Sequence, residues 1–345
     1  MKRVVVLLIT LLSLLGCHQQ VVKTANRNWL PDIKIENHDL KGNVKMCRTI
    51  DEYEDYANLG TQRDTTVSYF NTQGYLSSVS YINITQRTTT YFYDETSRLI
   101  GSKSLFSSDN RTSEDSYSYD ERGLLTEIKS VERTGATNHH LILKYDDKGR
   151  CIEEQSYLNE EASPIFSYKT EYDDKGNTSS TTVYGTEREL KRIEFISYDS
   201  EGKKIETTDT FYTSEGGESH RLKTTYNKQE LPTIVEEHRN GSLHAKNVYI
   251  YDDSDREKEI ISYEMSRDGE LTISNRSSYD YDDKGNLIKM VTYSGEGEEI
   301  YSSSSTYAYD KNGNWISKTT TSYFMFEGGK ESSSNTIRRT IEYYE

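Results

Sequence analysis

The stretch Tyr281-Asp-Asp-Lys-Gly-Asn-Leu-Ile288 decides the fold, because variants of it recur along the 345-residue chain. Its core, Tyr-Asp-x-x-Gly, begins at Tyr119, Tyr145, Tyr172, Tyr198, Tyr281 and Tyr309. Weaker copies begin at Phe70, Tyr93, Tyr226 and Tyr251, so that ten anchor residues follow one another at intervals of 23 to 30 residues. A regular period of this length indicates a repeat architecture.

Each copy predicts a hairpin turn. Asp-x-x-Gly suits a type I turn that is followed by a glycine in the left-handed conformation. The Asp side chain can accept backbone N–H groups of the turn, and Gly takes a positive φ without steric cost. Ser97, Glu230 and Asp255 stand where three copies lack the glycine. We expect those three turns to be looser or differently shaped.

The segments beside the turn predict strands. Tyr-x-Tyr precedes several turns, as at Tyr279 and Tyr281, and a spacing of two places both rings on one face of a strand. Apolar and polar residues alternate after the turn, and a second turn such as Asn240-Gly241 follows. One repeat is therefore two strands and two turns, and ten repeats predict about twenty antiparallel strands.

The predicted fold class is all-β, with tandem antiparallel β-hairpin repeats that form a long, twisted, curled sheet or a spiral shell. Neighbouring strands rotate by about 20–25°, and open sheets rarely exceed about 10 strands without curling or splitting. We therefore expect a spiral, a barrel-like shell or a two-layer wrap rather than a flat ribbon. Ile337 to Tyr344 is the expected closing strand.

The N-terminus has the pattern of a processing signal. Lys2 and Arg3 precede an apolar segment, residues 4–15, which is shorter than the roughly 20 residues that span a bilayer. The segment ends in Leu14-Leu15-Gly16-Cys17, which resembles the lipobox of bacterial lipoproteins. The resemblance implies a signal peptide over residues 1–16 and lipidation (palmitate) of Cys17. We expect a tether over 17–38 and a single repeat domain over 39–345.

The repeats themselves resemble the YD repeats of the RHS family. The best copies are Tyr281-Asp-Asp-Lys-Gly-Asn-Leu-Ile288 and Tyr145-Asp-Asp-Lys-Gly-Arg-Cys-Ile152, and the resemblance covers roughly residues 65–345. YD-repeat regions form spiralling β-hairpin shells in large toxins and in cell-surface adhesion proteins. The resemblance implies a fold and a surface setting, and it transfers no catalytic residue. Together with the lipobox it implies a YD-repeat-like lipoprotein anchored by lipid at the outer membrane of a Gram-negative bacterium, on its periplasmic or cell-surface face.

Composition and charge restrict the function classes. The chain has 29 Tyr and 3 Pro, and its net charge of −15 disfavours nucleic acid as a partner, because phosphate backbones are bound by Lys and Arg. No nucleophile elbow, phosphate loop or zinc-spaced cysteine pair occurs. We therefore expect no enzyme, no catalytic residue, no cofactor and no metal site. The neighbouring His139 and His140 are expected to face opposite sides of a strand.

The expected function is a non-catalytic binding or adhesion module for a glycan or a protein, with the ligand-binding residues unknown. The alternative is a structural or chaperone-like shell, or an immunity-type partner of a neighbouring protein, and an enzyme comes third. Tyr stripes and Trp315 could stack on sugars, but Tyr can equally fill a core that is poor in aliphatic residues. Cys47 and Cys151 are either core residues or a disulfide pair.

Overall fold

The chain was analysed as a computed structural model, which describes residues 29–55, 60–83, 85–132, 139–159, 161–326 and 329–345. The compact unit that contains the fold is Lys34–Glu345, and it includes a short 3-10 helix at Ile35–His38. Residues 29–33 belong to a separate unit and contain no helix or strand.

All 22 strands among the described residues belong to one sheet. In its first half the strands are β1 Val44–Asp55, β2 Gly60–Phe70, β3 Leu76–Ile82, β4 Arg87–Tyr93, β5 Leu99–Phe106, β6 Arg111–Tyr119, β7 Leu125–Glu132, β8 His139–Tyr145, β9 Cys151–Leu158, β10 Phe166–Tyr172 and β11 Thr178–Tyr184. In its second half they are β12 Leu190–Tyr198, β13 Lys204–Tyr212, β14 Glu218–Tyr226, β15 Pro232–Arg239, β16 Ser242–Tyr251, β17 Glu257–Met265, β18 Leu271–Tyr281, β19 Leu287–Ser294, β20 Glu299–Tyr309, β21 Trp315–Phe326 and β22 Gly329–Tyr343.

The sheet closes into a barrel, so the expectation of an open, curled sheet or spiral shell is wrong. Each strand pairs antiparallel with the next, and β22 then pairs antiparallel with β1, where Cys47 lies opposite Ile341 and Ile50 lies opposite Arg338. Closure gives the backbone N–H and C=O groups of both edge strands a partner, which an open sheet leaves exposed. Strand twist predicts that a long sheet curls, but it does not say whether the two ends meet.

The Asp-x-x-Gly turns have the predicted geometry. Gly285 has φ +87°, and its N–H donates to the carbonyl of Asp282 at 3.1 Å. Oδ1 of Asp282 accepts the backbone N–H groups of Lys284 and Asn286 at 3.0 and 2.8 Å. This confirms the interpretation of the repeated Asp as a turn acceptor.

The three turns without glycine are not looser, and that expectation is wrong. Ser97, Glu230 and Asp255 have φ values of 65°, 60° and 59°, and each donates its N–H to the first turn residue at 2.9–3.0 Å. The left-handed conformation costs a residue with a side chain roughly 1–2 kcal/mol. That cost is offset by the pairing of the two flanking strands and by the side chain that accepts the N–H groups of the turn. The turn therefore keeps its shape.

The anchor tyrosines link one repeat to the previous one. The hydroxyl of Tyr119 donates to the carbonyl of Leu99 at 2.7 Å, and that of Tyr145 donates to the carbonyl of Leu125 at 2.6 Å. The same bond is made by Tyr93, Tyr172, Tyr198, Tyr251 and Tyr281. The hydroxyl explains why the repeat uses Tyr where Phe would fill the same volume.

The two faces of the sheet differ in exposure. The face that carries the Tyr-x-Tyr pairs, here called the tyrosine face, also carries most of the buried apolar side chains, such as Phe70, Leu99 and Leu143. Large apolar side chains on the other face remain open to solvent, and Phe195 is 55% exposed. Side chains converge on the concave side of a curved sheet, so the tyrosine face is the inner face and the other is the outer face.

Candidate binding site on the tyrosine face

One position of each repeat is the first residue of the strand that follows the turn. It pairs directly with the anchor residue, which is the last residue of the strand before the turn. We call it the post-turn position, and in every repeat a bulge separates it from the regular register that follows. Its side chain shares the tyrosine face with the anchor. The ten occupants are Leu76, Leu99, Leu125, Cys151, Thr178, Lys204, Pro232, Glu257, Leu287 and Trp315.

Lys204 occupies the post-turn position of one repeat and is accommodated by its surroundings. Its Nζ lies 4.1 Å from the centroid of the Tyr226 ring, within the range of a cation–π contact. Its backbone N–H donates to Oε1 of Glu230 at 2.7 Å. Burial lowers the pKa of Lys204, and the charges of Glu230 and Glu194 oppose that change.

Glu257 occupies the same position two repeats later, between two Tyr-x-Tyr pairs. Tyr249 and Tyr251 are on β16, and Tyr251 is the direct ladder partner of Glu257. Tyr279 and Tyr281 are on β18, and the Tyr281 hydroxyl donates to the backbone carbonyl of Glu257 at 2.9 Å. These five residues are all partly exposed, and we call them the Glu257 site.

The Glu257 carboxylate has no protein counter-charge among the described residues. Burial alone raises its pKa. The neighbouring Arg256 is held by Asp252, with Nη2 2.7 Å from Oδ2, and its guanidinium lies 4.7 Å from the centroid of the Tyr281 ring. Burial first, and then the charge of Glu257, raise the pKa of Tyr279 to about 12. The site is therefore a half-buried carboxylate beside four neutral phenols.

Sequence reasoning missed Glu257, although a signal for it exists. Aligning the ten copies by their anchors places it in a column that holds Leu in four repeats. A carboxylate at a core position of a repeat breaks the pattern, and such breaks are expected at functional sites.

A second group of charges on the inner face contains its own cation. The Arg192 guanidinium lies 2.5 Å from Oδ1 of Asp209 and 3.8 Å from Oε1 of Glu194. Burial raises the pKa of Asp209, while the charge of Arg192 opposes it. Arg192 thus forms a direct ion pair with Asp209, whereas Glu257 has no such protein partner among the described residues.

Trp315 is covered by other residues and is a poor platform for a sugar. The Arg339 guanidinium lies 3.5 Å from the centroid of its ring, and its indole Nε1–H donates to Oδ2 of Asp39 at 2.8 Å. Tyr307 contacts its edge with ring centroids 6.4 Å apart. Stacking of a ligand on the ring face that Arg339 covers would have to displace the guanidinium.

The remaining candidates are placed as follows. His139 is within 2.9 Å of Oγ of Ser156, and His140 is within 2.7 Å of Oε1 of Glu127, so the two rings have separate partners. Across the described ranges no group of three or more His, Cys, Asp or Glu side chains could hold a metal ion.

The two described cysteines are not joined. Cys47 is buried on β1 and Cys151 is half-buried on β9, and both are free thiols, so the disulfide alternative is wrong. Burial raises the pKa of the Cys47 thiol. Cys17, the expected lipidation site, lies outside the described residues.

Comparison with known proteins gives distant structural matches only. No family model and no curated protein matches the chain. A porin-like protein from Bacteroides uniformis is 12% identical over 87% of this chain and 98% of its own, with a TM-score of 0.33. A porin-like protein from Bacteroides vulgatus is 13% identical over 64% and 98%, with a TM-score of 0.28. The structure of TcdB2-TccC3-Cdc42 is 13% identical over 86% of this chain and 19% of the other, with a TM-score of 0.34.

A closed all-β barrel is compatible with an outer-membrane or cell-surface location. In the part of the chain that the structure describes, no helix is both long and apolar enough to cross a bilayer.

Proposed function

We propose that this chain is a membrane-anchored, extracytoplasmic lipoprotein whose barrel is a non-catalytic module that binds a glycan on its inner face. The observation that carries the proposal is the unequal use of the two faces. Tyrosines line the inside together with buried apolar and polar side chains, whereas ion pairs and exposed apolar side chains such as Phe195 share the outside. Aromatic rings with polar tips are the usual surfaces for ligands that are neither fully apolar nor fully charged.

The size of the barrel supports an internal site. Strands lie about 4.8 Å apart, so a ring of 22 strands has a perimeter of roughly 106 Å. A round section of that perimeter has a backbone diameter of about 34 Å. Side chains just fill a barrel of about eight strands, and larger barrels enclose cavities or channels.

The outer face supports anchoring by lipid rather than by the barrel wall. Ion pairs stand on this face, between Lys103 and Glu114 at 3.0 Å and between Lys223 and Glu206 at 2.9 Å. A lipid-facing Lys or Arg costs about 2–4 kcal/mol at the bilayer midplane, so ion pairs that stand among the exposed apolar side chains of this face disfavour insertion of the barrel into a bilayer. We therefore place the barrel outside the bilayer, held by the lipidation that the lipobox-like segment at Cys17 implies.

Two experiments test the proposal. Replacement of Cys17 by Ala should move the protein from the membrane fraction to the soluble fraction, and persistent membrane attachment would refute the lipid anchor. The released protein should then be screened on a glycan array, with a heat-unfolded sample as control. Absence of any specific glycan would refute the binding function.

A further inference from the structure

We propose that the Glu257 site binds the ammonium group of a small organic ligand. The inference rests on the proposed binding function and names the chemistry that the ligand must carry.

The described residues give the Glu257 carboxylate no hydrogen-bond donor and no cation, although it is half-buried on the inner face. Burying an ionised group without a partner costs free energy. Other repeats avoid that cost, because Leu99 and Leu125 fill the same post-turn position with an apolar side chain. A carboxylate kept there without a protein partner is suited to a cation that comes from outside.

Tyrosine faces attract cations through the ring quadrupole, and cages of aromatic rings recognise ammonium groups. Tyr249 and Tyr251 flank Glu257 from β16, and Tyr279 and Tyr281 flank it from β18. The Tyr281 hydroxyl donates to the backbone carbonyl of Glu257 at 2.9 Å. Arg256 covers part of Tyr281 but is held by Asp252, so the other three tyrosines supply the cage.

Tyrosines of this repeat already hold cations from the protein itself. Lys204 places Nζ 4.1 Å from the centroid of the next anchor ring, Tyr226, and Lys284 places Nζ 3.3 Å from the centroid of Tyr309. The equivalent anchor ring beside Glu257 is Tyr281, and its cation is Arg256. A ligand ammonium would therefore make the same kind of contact with the rings of Tyr249, Tyr251 and Tyr279, beside the charge of Glu257.

The surroundings of Glu257 suit an ammonium group better than a metal ion. Calcium takes six to eight oxygen ligands and magnesium takes six in octahedral geometry. The site is built around one carboxylate, and no metal-ligating group of three or more His, Cys, Asp or Glu side chains occurs among the described residues. Rings with one carboxylate fit an organic cation, and the net charge of −15 adds a general attraction for cations.

Isothermal titration calorimetry on the full chain tests the proposal. The probes are glucosamine and ethylamine, which carry an ammonium group, and N-acetylglucosamine, which does not. Binding of the first two with none of the third is expected, and it would assign recognition to the ammonium group. Binding of glucosamine alone among the amines would identify an amino sugar as the source, whereas equal binding of ethylamine would identify a free amine.

The decisive variant is Glu257→Gln, and the matched control is Glu259→Gln. Glu259 lies two residues further along β17, and the bulge after Glu257 places it opposite Ile250 on the outer face. Its carboxylate is paired with Arg276 at 3.0 Å. Loss of the carboxylate should weaken ammonium binding at least about tenfold, which corresponds to roughly 1.4 kcal/mol. The control should bind as the unmodified chain does, and circular dichroism should show both variants folded.

Two results would overturn the inference. One is equal ammonium binding by the unmodified chain and by the folded Glu257→Gln variant, and the other is no ammonium binding by the unmodified chain. The glycan array separates this failure from that of the proposed function. A specific glycan bound equally by the Glu257→Gln variant would leave the binding function intact while refuting the role of Glu257.

Discussion

The closure of the barrel can be tested with one introduced cysteine. Cys47 on β1 lies directly opposite Ile341 on β22. Opposed residues of an antiparallel pair have Cα atoms about 4.5–5.5 Å apart, which lies within the 4.4–6.8 Å range of disulfides. Ile341→Cys should therefore form an intramolecular disulfide with Cys47. Cys17→Ala and Cys151→Ser remove the other thiols.

The stabilisation follows from the size of the closed loop. The crosslink joins residues 47 and 341, a loop of about 295 residues, for which the chain-entropy relation gives about 5.7 kcal/mol at 25 °C. Engineered disulfides usually deliver less, and typical values are about 2–4 kcal/mol. We therefore expect the oxidised protein to gain at least about 2 kcal/mol in unfolding free energy over its reduced form.

Non-reducing electrophoresis, mass spectrometry and urea unfolding with and without reductant provide the assay. The control is Thr340→Cys in the same background, because Thr340 pairs with Arg48 and faces away from Cys47. Closure predicts a rapid disulfide within single chains of the Ile341→Cys variant and none within the Thr340→Cys control. Crosslinking only between chains, or none, would refute the β1–β22 pairing.

Three further outcomes follow from the turns and the inner face. Tyr119→Phe removes the hydroxyl that donates to Leu99 and should lower the unfolding free energy by about 1 kcal/mol in urea titration, whereas Tyr69→Phe on the outer face should not. Ser97→Gly should raise the thermal midpoint by relieving a side chain at φ 65°, a gain of about 1 kcal/mol that calorimetry can measure; an unchanged or lower midpoint would contradict it. Burial raises the pKa of Glu257, so the folded chain binds a proton there more tightly than the unfolded chain does. The contribution of Glu257 to the unfolding free energy therefore falls as pH rises above about 4.5. Glu257→Gln should therefore be more stable than the unmodified chain at pH 7 and lose that advantage near pH 4, and urea midpoints that differ equally at both pH values would contradict it.

The tyrosines show how far local pattern extends. Tyr-Asp-x-x-Gly predicts the turn, and the spacing of Tyr279 and Tyr281 predicts their shared face, because both depend on contacts within a few residues. The pattern does not predict that the hydroxyl of Tyr281 crosses to the carbonyl of Glu257, since that bond joins the ends of neighbouring repeats. The pattern also overstated the effect of the missing glycine at Ser97, because strand pairing keeps that turn in the same shape as the others.

The sequence by itself determined the repeat, its turns and the antiparallel order of its strands, because each depends on neighbours within one hairpin. Only the tertiary structure decided that the ends of the sheet meet, because Cys47 and Ile341 are brought together by the summed twist and curvature of all the strands between them. It also decided which charges are compensated. Lys204 finds a ring and Arg192 finds carboxylates, whereas the charge of Glu257 meets only tyrosines, and that difference depends on side chains from separate strands.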